Sequence, residues 1–119
     1  MAEFTGTCRL SGIRDGELRK VTVRGKEILL ARRGDRVYAT DVLCPHLRAD
    51  LSEGTLEGHI LTCPMHGSQF DIRDGHVVRW TNLSGTILKF ATRAIPPRPL
   101  TCYPVRIEGD RVLVSVPWS

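Results

Sequence analysis

The chain is expected to be all-β, an antiparallel sandwich-like body or a small barrel, and three observations predict it. Short runs rich in β-branched and aromatic residues recur along the 119 residues, each bounded by Gly, Asp, Asn or Pro. Apolar spacing of helical period is almost absent. Gly34-Asp35, Asp74-Gly75 and Gly109-Asp110 fall between such runs, where hairpins need residues that tolerate positive φ. A chain of this length supports one hydrophobic core, so residues 1–119 read as a single domain.

Taken in order, residues 4–10 alternate weakly and suit an edge strand, with a turn between Gly12 and Gly16. Residues 18–23 end at Gly25, and residues 28–31 meet 37–39 across Arg33-Gly34-Asp35-Arg36. The stretch 51–58, punctuated by Gly54 and Gly58, reads as a loop, and 59–62 as a strand that runs straight into Cys63. Residues 70–72 and 76–78 flank Asp74-Gly75, a two-residue turn signal. Residues 102–107 and 112–116 flank Glu108-Gly109-Asp110. Residues 80–95 fit no clear element; 86–91 could be a strand after Ser84-Gly85, or a loop packed on the body. Pro96-Pro97-Arg98-Pro99 is an extended, rigid loop, because proline cannot donate to a ladder.

A hydrophobic fraction of 41% with 25% charged residues is ordinary for a globular chain and names no function. The net charge of +4 is carried mostly by arginine, since Lys20, Lys26 and Lys89 are the only lysines. Its distribution is uneven: residues 44–76 hold two basic and five acidic groups, whereas residues 1–43 hold nine and six and residues 77–119 hold six and two. If these blocks form spatial patches, they would orient a charged partner; otherwise they are solvated surface. No basic run interleaves with aromatics, which gives nucleic-acid binding little support. There is no stretch near the roughly 18 apolar residues of a membrane helix and no leader-like N-terminus, so a cytoplasmic location without membrane attachment is expected. In that reducing setting four cysteines point to metal binding before disulfides. A Gly-rich dinucleotide fingerprint is lacking, which argues against NADH binding.

The chemistry is concentrated between Cys44 and His66. Cys44-Pro45-His46 and Cys63-Pro64-Met65-His66 stand on either side of a sixteen-residue spacer, and two thiols with two imidazoles suit a soft or borderline metal. Zinc of the Cys2His2 kind is the competing reading, although structural zinc more often shows C-x-x-C or H-x-x-x-H pairs.

This ligand pattern, in order, spacing and flanks, resembles that of Rieske-type [2Fe–2S] ferredoxins, the ferredoxin components of Rieske non-haem iron oxygenase systems. The likeness extends to Leu51-Ser52-Glu53-Gly54, Gly67-Ser68-Gln69-Phe70-Asp71, Arg98-Pro99-Leu100, Tyr103-Pro104-Val105-Arg106 and Glu108-Gly109, and so covers nearly the whole chain. It implies a Rieske fold with a small cluster-binding subdomain of two loops at about residues 43–72. It implies one [2Fe–2S] cluster per chain, with Cys44 and Cys63 on one iron and His46 and His66 on the other. Leu47, Met65, Gly67, Ser68, Phe70, Pro97 and Pro99 would surround it, the proline-rich loop acting as a cover.

By the same resemblance the protein is an electron carrier and not an enzyme, passing electrons from a flavin-dependent reductase to a terminal Rieske oxygenase, and is a monomer. It has no second histidine pair with a carboxylate for a mononuclear iron site, because His59 and His76 are the only other histidines. The alternative is a Rieske small subunit of a multi-subunit reductase, such as nitrite reductase. A redox or iron sensor is a third reading that no particular residue supports.

Two neutral imidazoles in place of two thiolates raise the potential of such a cluster above that of an all-cysteine one. High-potential respiratory members carry a further cysteine in each half of the motif, and those positions are Ala49 and Met65 here. Phe70 stands where that group has a hydrogen-bonding tyrosine, while Ser68 keeps one donor. The expected potential is therefore near the low end of the Rieske span of about −150 to +300 mV.

Other residues carry lesser expectations. Cys8 and Cys102 read as buried free thiols in strands, His59 and His76 as solvent-facing, and Met65 as packing over the cluster with a partner contact as the alternative. The departure from the family is an apparent insertion at about 80–94, where Trp80, Leu83, Ile87, Leu88 and Phe90 would form a satellite cluster or a patch for another subunit.

Overall fold

The computed structural model describes residues 3–45, 48–65, 67–80 and 97–117. Within them the strands are β1 (Phe4–Arg9), β2 (Leu18–Val23), β3 (Lys26–Arg33), β4 (Arg36–Asp41), β5 (Thr55–Glu57), β6 (Ile60–Thr62), β7 (Gln69–Asp71), β8 (Val77–Arg79), β9 (Cys102–Tyr103), β10 (Val105–Glu108) and β11 (Arg111–Ser115). They form three antiparallel sheets, ordered β1-β11-β10, β2-β3-β4-β9 and β5-β6-β7-β8. The all-β expectation holds, with two short 3-10 turns, Leu10–Gly12 and Leu51–Glu53, as the described helical elements.

Strand β3 organises the body. Ile28, Leu29, Leu30 and Ala31 are all buried, an unbroken apolar run of the kind a strand shows when both its faces are covered. Alternation then divides them. Ile28 and Leu30 face a core with Ile13, Val37, Ala39, Val112 and Val114; Leu29 and Ala31 face a second core with Leu51, Leu61, Phe70, Ile72, Trp80, Leu100 and the two cysteines Cys44 and Cys63. The strand is thus a wall between a structural core and the core beneath the site.

Two hairpins close as their sequences predict. Arg33 pairs with Arg36 around Gly34 at φ 61°, and Glu108 pairs with Arg111 around Gly109 at φ 62°. Asp74-Gly75 does not make the tight turn expected of it. Phe70 pairs with Val77, leaving a wider connection in which the Gly75 N–H donates to the Asp71 carbonyl at 2.6 Å. The cause is tertiary, because Gly75 is drawn against the chain at Leu100, whose N–H donates to the Gly75 carbonyl at 2.8 Å.

Residues 55–57, read as loop, are strand β5. Leu56 is their one apolar side chain, so the run carries no pattern of its own, and pairing with β6 decides its conformation. Residues 102–107 are broken at Pro104: β9 pairs with β4 while β10 pairs with β11, so the chain changes sheets where proline removes the ladder donor. Trp80 is buried in the core that holds the cysteines rather than in a satellite cluster. The rest of the apparent insertion, including Leu83, Ile87, Leu88 and Phe90, lies outside the described residues, as does Pro96.

Candidate metal centre

Two loops of the same design present the cysteines. Strand β4 leads to Leu43, which bridges Asp50; between them the Cys44 N–H donates to the Ala49 carbonyl and the Arg48 N–H returns to the Cys44 carbonyl, each at 2.8 Å. Strand β6 leads to Cys63, whose N–H donates to the Ser68 carbonyl at 2.8 Å before β7 begins. In both loops the cysteine amide therefore reaches the carbonyl five residues on. In both, the fourth residue after the cysteine takes the left-handed conformation, Arg48 at φ 58° and Gly67 at φ 70°. Glycine takes that conformation without a Cβ penalty; arginine does not. His46, Leu47 and His66 belong by sequence to these loops but lie outside the described residues.

Cys44 and Cys63 are 0% and 3% exposed in one apolar core, and neither is in a disulfide. Two unbridged sulfurs among Leu51, Leu61 and Phe70 suit a metal well. A thiolate is costly in such surroundings unless a cation neutralises it. Cys8 and Cys102 are likewise unbridged but only half-buried, and neither belongs to the buried set around Cys44 and Cys63. Burial, followed by the carboxylates of Asp74, Asp41 and Asp71, pushes the Cys102 thiol up to about 11, so it stays protonated.

Residues 4–104 match the family model of the Rieske [2Fe–2S] domain. The chain belongs to that family. It is 36% identical over 104 residues to the ferredoxin component of the naphthalene 1,2-dioxygenase system of Pseudomonas aeruginosa, covering 87% of this chain and 86% of the relative. It is 30% identical over 119 residues to the ferredoxin component of the p-cumate 2,3-dioxygenase system of Pseudomonas putida, covering 98% and 88%. Its fold matches the ferredoxin of carbazole 1,9a-dioxygenase from Nocardioides aromaticivorans IC177 with a TM-score of 0.76 at 27% identity, covering 93% of this chain and 95% of that one. A Rieske domain of this kind carries one [2Fe–2S] cluster and serves electron transfer rather than catalysis.

Around the two loops of this Rieske domain the supports are specific. The Ser68 hydroxyl donates to the main-chain oxygen of Trp80. Phe70 is fully buried and meets the Trp80 ring edge-to-face at 6.3 Å between centroids. At the far end of β7, Asp71 is 3% exposed and takes two side-chain hydrogen bonds from Arg73, at 2.6 and 3.0 Å, and one from its backbone N–H at 2.9 Å. Those bonds, the Arg73 side chain foremost, hold the carboxyl down at about 2 against the opposing effect of burial.

A groove of about 740 Å³ runs beside the first loop, lined among others by Lys26, Cys44, Pro45, Arg48, Arg98 and Pro99. Pro97 and Pro99 are exposed, and Pro99 lines this groove together with Cys44. Met65 is 62% exposed. The two remaining histidines are engaged elsewhere. His59 stands edge-on to Tyr38 at 5.6 Å, and the exposed His76 bonds Asp74 at 2.6 Å.

Sequence reasoning passed over Arg79. Its guanidinium donates twice to the Gly67 carbonyl, at 3.0 and 2.8 Å, and so clamps the second loop. The available signal was its register: Arg79 pairs with Gln69, at the mouth of that loop. Among the described residues, no helix is long and apolar enough to cross a membrane.

Proposed function

We propose that this chain is the ferredoxin of an oxygenase system, a cytoplasmic monomer that accepts one electron at a time from a flavin-dependent reductase and passes it to a terminal Rieske oxygenase. Cys44 and Cys63 hold one iron and His46 and His66 the other, within a subdomain spanning about residues 43–72. The observation that carries this reading is the pair of unbridged thiols buried in one core, each heading a loop closed on its own backbone. When bound, the cluster supplies a one-electron redox centre whose mixed ligands set it above the all-cysteine range. The chain's part is to bind and to insulate. Leu51, Leu61 and Phe70 keep water from the sulfurs, and the 97–100 segment shields the Cys44 side.

Relatives named as ferredoxin components of dioxygenase systems, matched over nearly their full length, favour this reading over a reductase small subunit. Iron and sulfide analysis with EPR of the purified chain tests the cofactor assignment: two irons and two sulfides are expected, and both are lost on Cys44→Ser or His66→Ala. Stoichiometric zinc in place of iron would refute it. The carrier role is tested by reconstitution with the reductase and oxygenase components of a naphthalene dioxygenase system. Product should form only when this chain is present, and turnover that ignores its omission would count against the shuttle.

A further inference from the structure

Most of the acidity that the sequence concentrates in residues 44–76 sits away from the two cysteine loops. In the β5-β6-β7-β8 sheet, Thr62 pairs with Gln69 next to the Cys63 loop, whereas Glu57 pairs with Ile60 and Ile60 with Asp71 at the opposite end, beside Asp74. Three of the five carboxylates of the block, Glu57, Asp71 and Asp74, therefore sit at the end remote from the cysteines. Of the two nearer ones, Asp50 is paired with a lysine and Glu53 lies close to that same lysine. Asp50 pairs with Lys20 at 2.9 Å, Lys20 also feels Glu27 and Glu53, and Asp41 faces Lys26 at 3.7 Å.

The arginines lie the other way round. Arg48 is in the first loop, Arg98 lines the same groove as Cys44 and Pro45, and Arg79 reaches over the second loop to Gly67. All three are exposed. Glu27, Asp41 and Asp50 line that groove as well, yet among the described residues neither Arg48 nor Arg98 forms an ion pair with them, and Arg79 donates to a neutral carbonyl. Exposed apolar side chains stand beside them: Met65 at 62%, between the two ligand positions of the second loop, and Leu43 at 41%, next to Cys44. Apolar contact flanked by arginines that form no ion pair is a surface for brief, steered encounters.

We propose that the electron-exit end of this molecule docks on a carboxylate-lined face of its acceptor protein, with Arg48, Arg79 and Arg98 supplying the attraction around Met65. This rests on the shuttle reading, which it deepens by stating the charge of the partner. The uneven charge of the sequence is thereby inverted in space. A partner chosen to complement the acidic block would meet the wrong end of the molecule.

The test measures charge at the exit directly. The holoprotein, reduced with dithionite, is reoxidised in a stopped-flow instrument by ferric EDTA, an anion, and by hexaamminecobalt(III), a cation. Rates are taken at about 20 mM and about 500 mM salt, between which the screening length falls from roughly 20 Å to roughly 4 Å. Oxidation by the anion should slow on the order of tenfold as salt rises, and oxidation by the cation should quicken. In Arg48→Glu/Arg98→Glu the anion's salt dependence should vanish or reverse. Arg98→Glu alone lies outside both loops and should shift both slopes in the same direction, even if the Arg48 exchange disturbs its loop. Midpoint potentials of each variant remove the effect of driving force. A wild-type protein that prefers the cation, or variants with unchanged slopes, would overturn the proposal. Because both oxidants are small complexes, these results do not depend on any oxygenase. A failed reconstitution would sink the shuttle reading and leave the measured charge standing, and the converse holds equally.

Discussion

Gly75 and Leu100 are locked together at the backbone: the Leu100 N–H donates to the Gly75 carbonyl at 2.8 Å, and the Leu100 carbonyl stands 1.8 Å from where a β-carbon on residue 75 would lie. With φ at 83°, Gly75 is also in a conformation other residues resist. The pair fastens the β7–β8 connection to the end of the proline-rich segment. Gly75→Ala should therefore cost at least about 3 kcal/mol, combining left-handed strain with a backbone clash. Thermal unfolding would show it, and hydrogen exchange at the Leu100 amide should rise by more than exchange at Leu30. An alanine variant of unaltered stability would mean that the contact is not rigid.

Arg48 offers the reverse case. It occupies the left-handed position that Gly67 fills in the second loop. Arg48→Gly should raise stability by about 0.5–1 kcal/mol, the strain relieved outweighing the added freedom of the unfolded chain. Urea denaturation with an unchanged slope but a higher midpoint is the expected result.

Ser68 is buried, and its single hydroxyl proton is committed to the Trp80 carbonyl. Ser68→Ala should lower stability by about 1 kcal/mol yet leave the midpoint potential where it was, because the lost donor was not directed at the cluster. Spectroelectrochemical titration separates the two effects. The same titration of the wild-type protein should place the midpoint near the low end of the Rieske span of about −150 to +300 mV, since Phe70 brings no hydroxyl and Ser68 spends its own elsewhere. A large downward shift in the alanine variant would show the hydroxyl acting on the cluster after all.

Asp71 provides the pH dependence. Its carboxyl is depressed in the folded protein from 3.8 to about 2 by the Arg73 side chain and amide, so the folded state favours the ionised form. The corresponding stability, about 2 kcal/mol, is complete above about pH 4 and disappears as pH falls through 2. Asp71→Asn should be less stable than the parent by about that amount at pH 7. The gap should close on acidification. A gap that stayed constant down to pH 2 would assign the loss to packing.

How much of this was legible beforehand varies with the kind of interaction. Hairpins closed by local chemistry, such as those at Gly34 and Gly109, were readable because the turn residue alone determines them. Gly75 was misread as a tight turn because its conformation answers to Leu100, a residue distant in sequence. Strand β5 was missed since its pairing with β6, and not its composition, makes it a strand. The cysteines of the site were plain from spacing, yet Arg79 was not, because a guanidinium clamping a carbonyl twelve residues away leaves no periodic trace. Charge was the least legible property. Summing residues along the chain places acid at the ligand stretch, while antiparallel pairing carries most of that acid to the other end of the sheet.

The two cysteine loops each close on their own backbone, through Cys44 to Ala49 and Cys63 to Ser68, before any metal is considered. A centre gripped by such self-closed hoops has little room to change shape when an electron arrives or departs. The barrier to exchange is then governed by distance and orientation at the encounter rather than by rearrangement of the carrier, which suits a molecule that must collect and surrender charge in contacts of short duration.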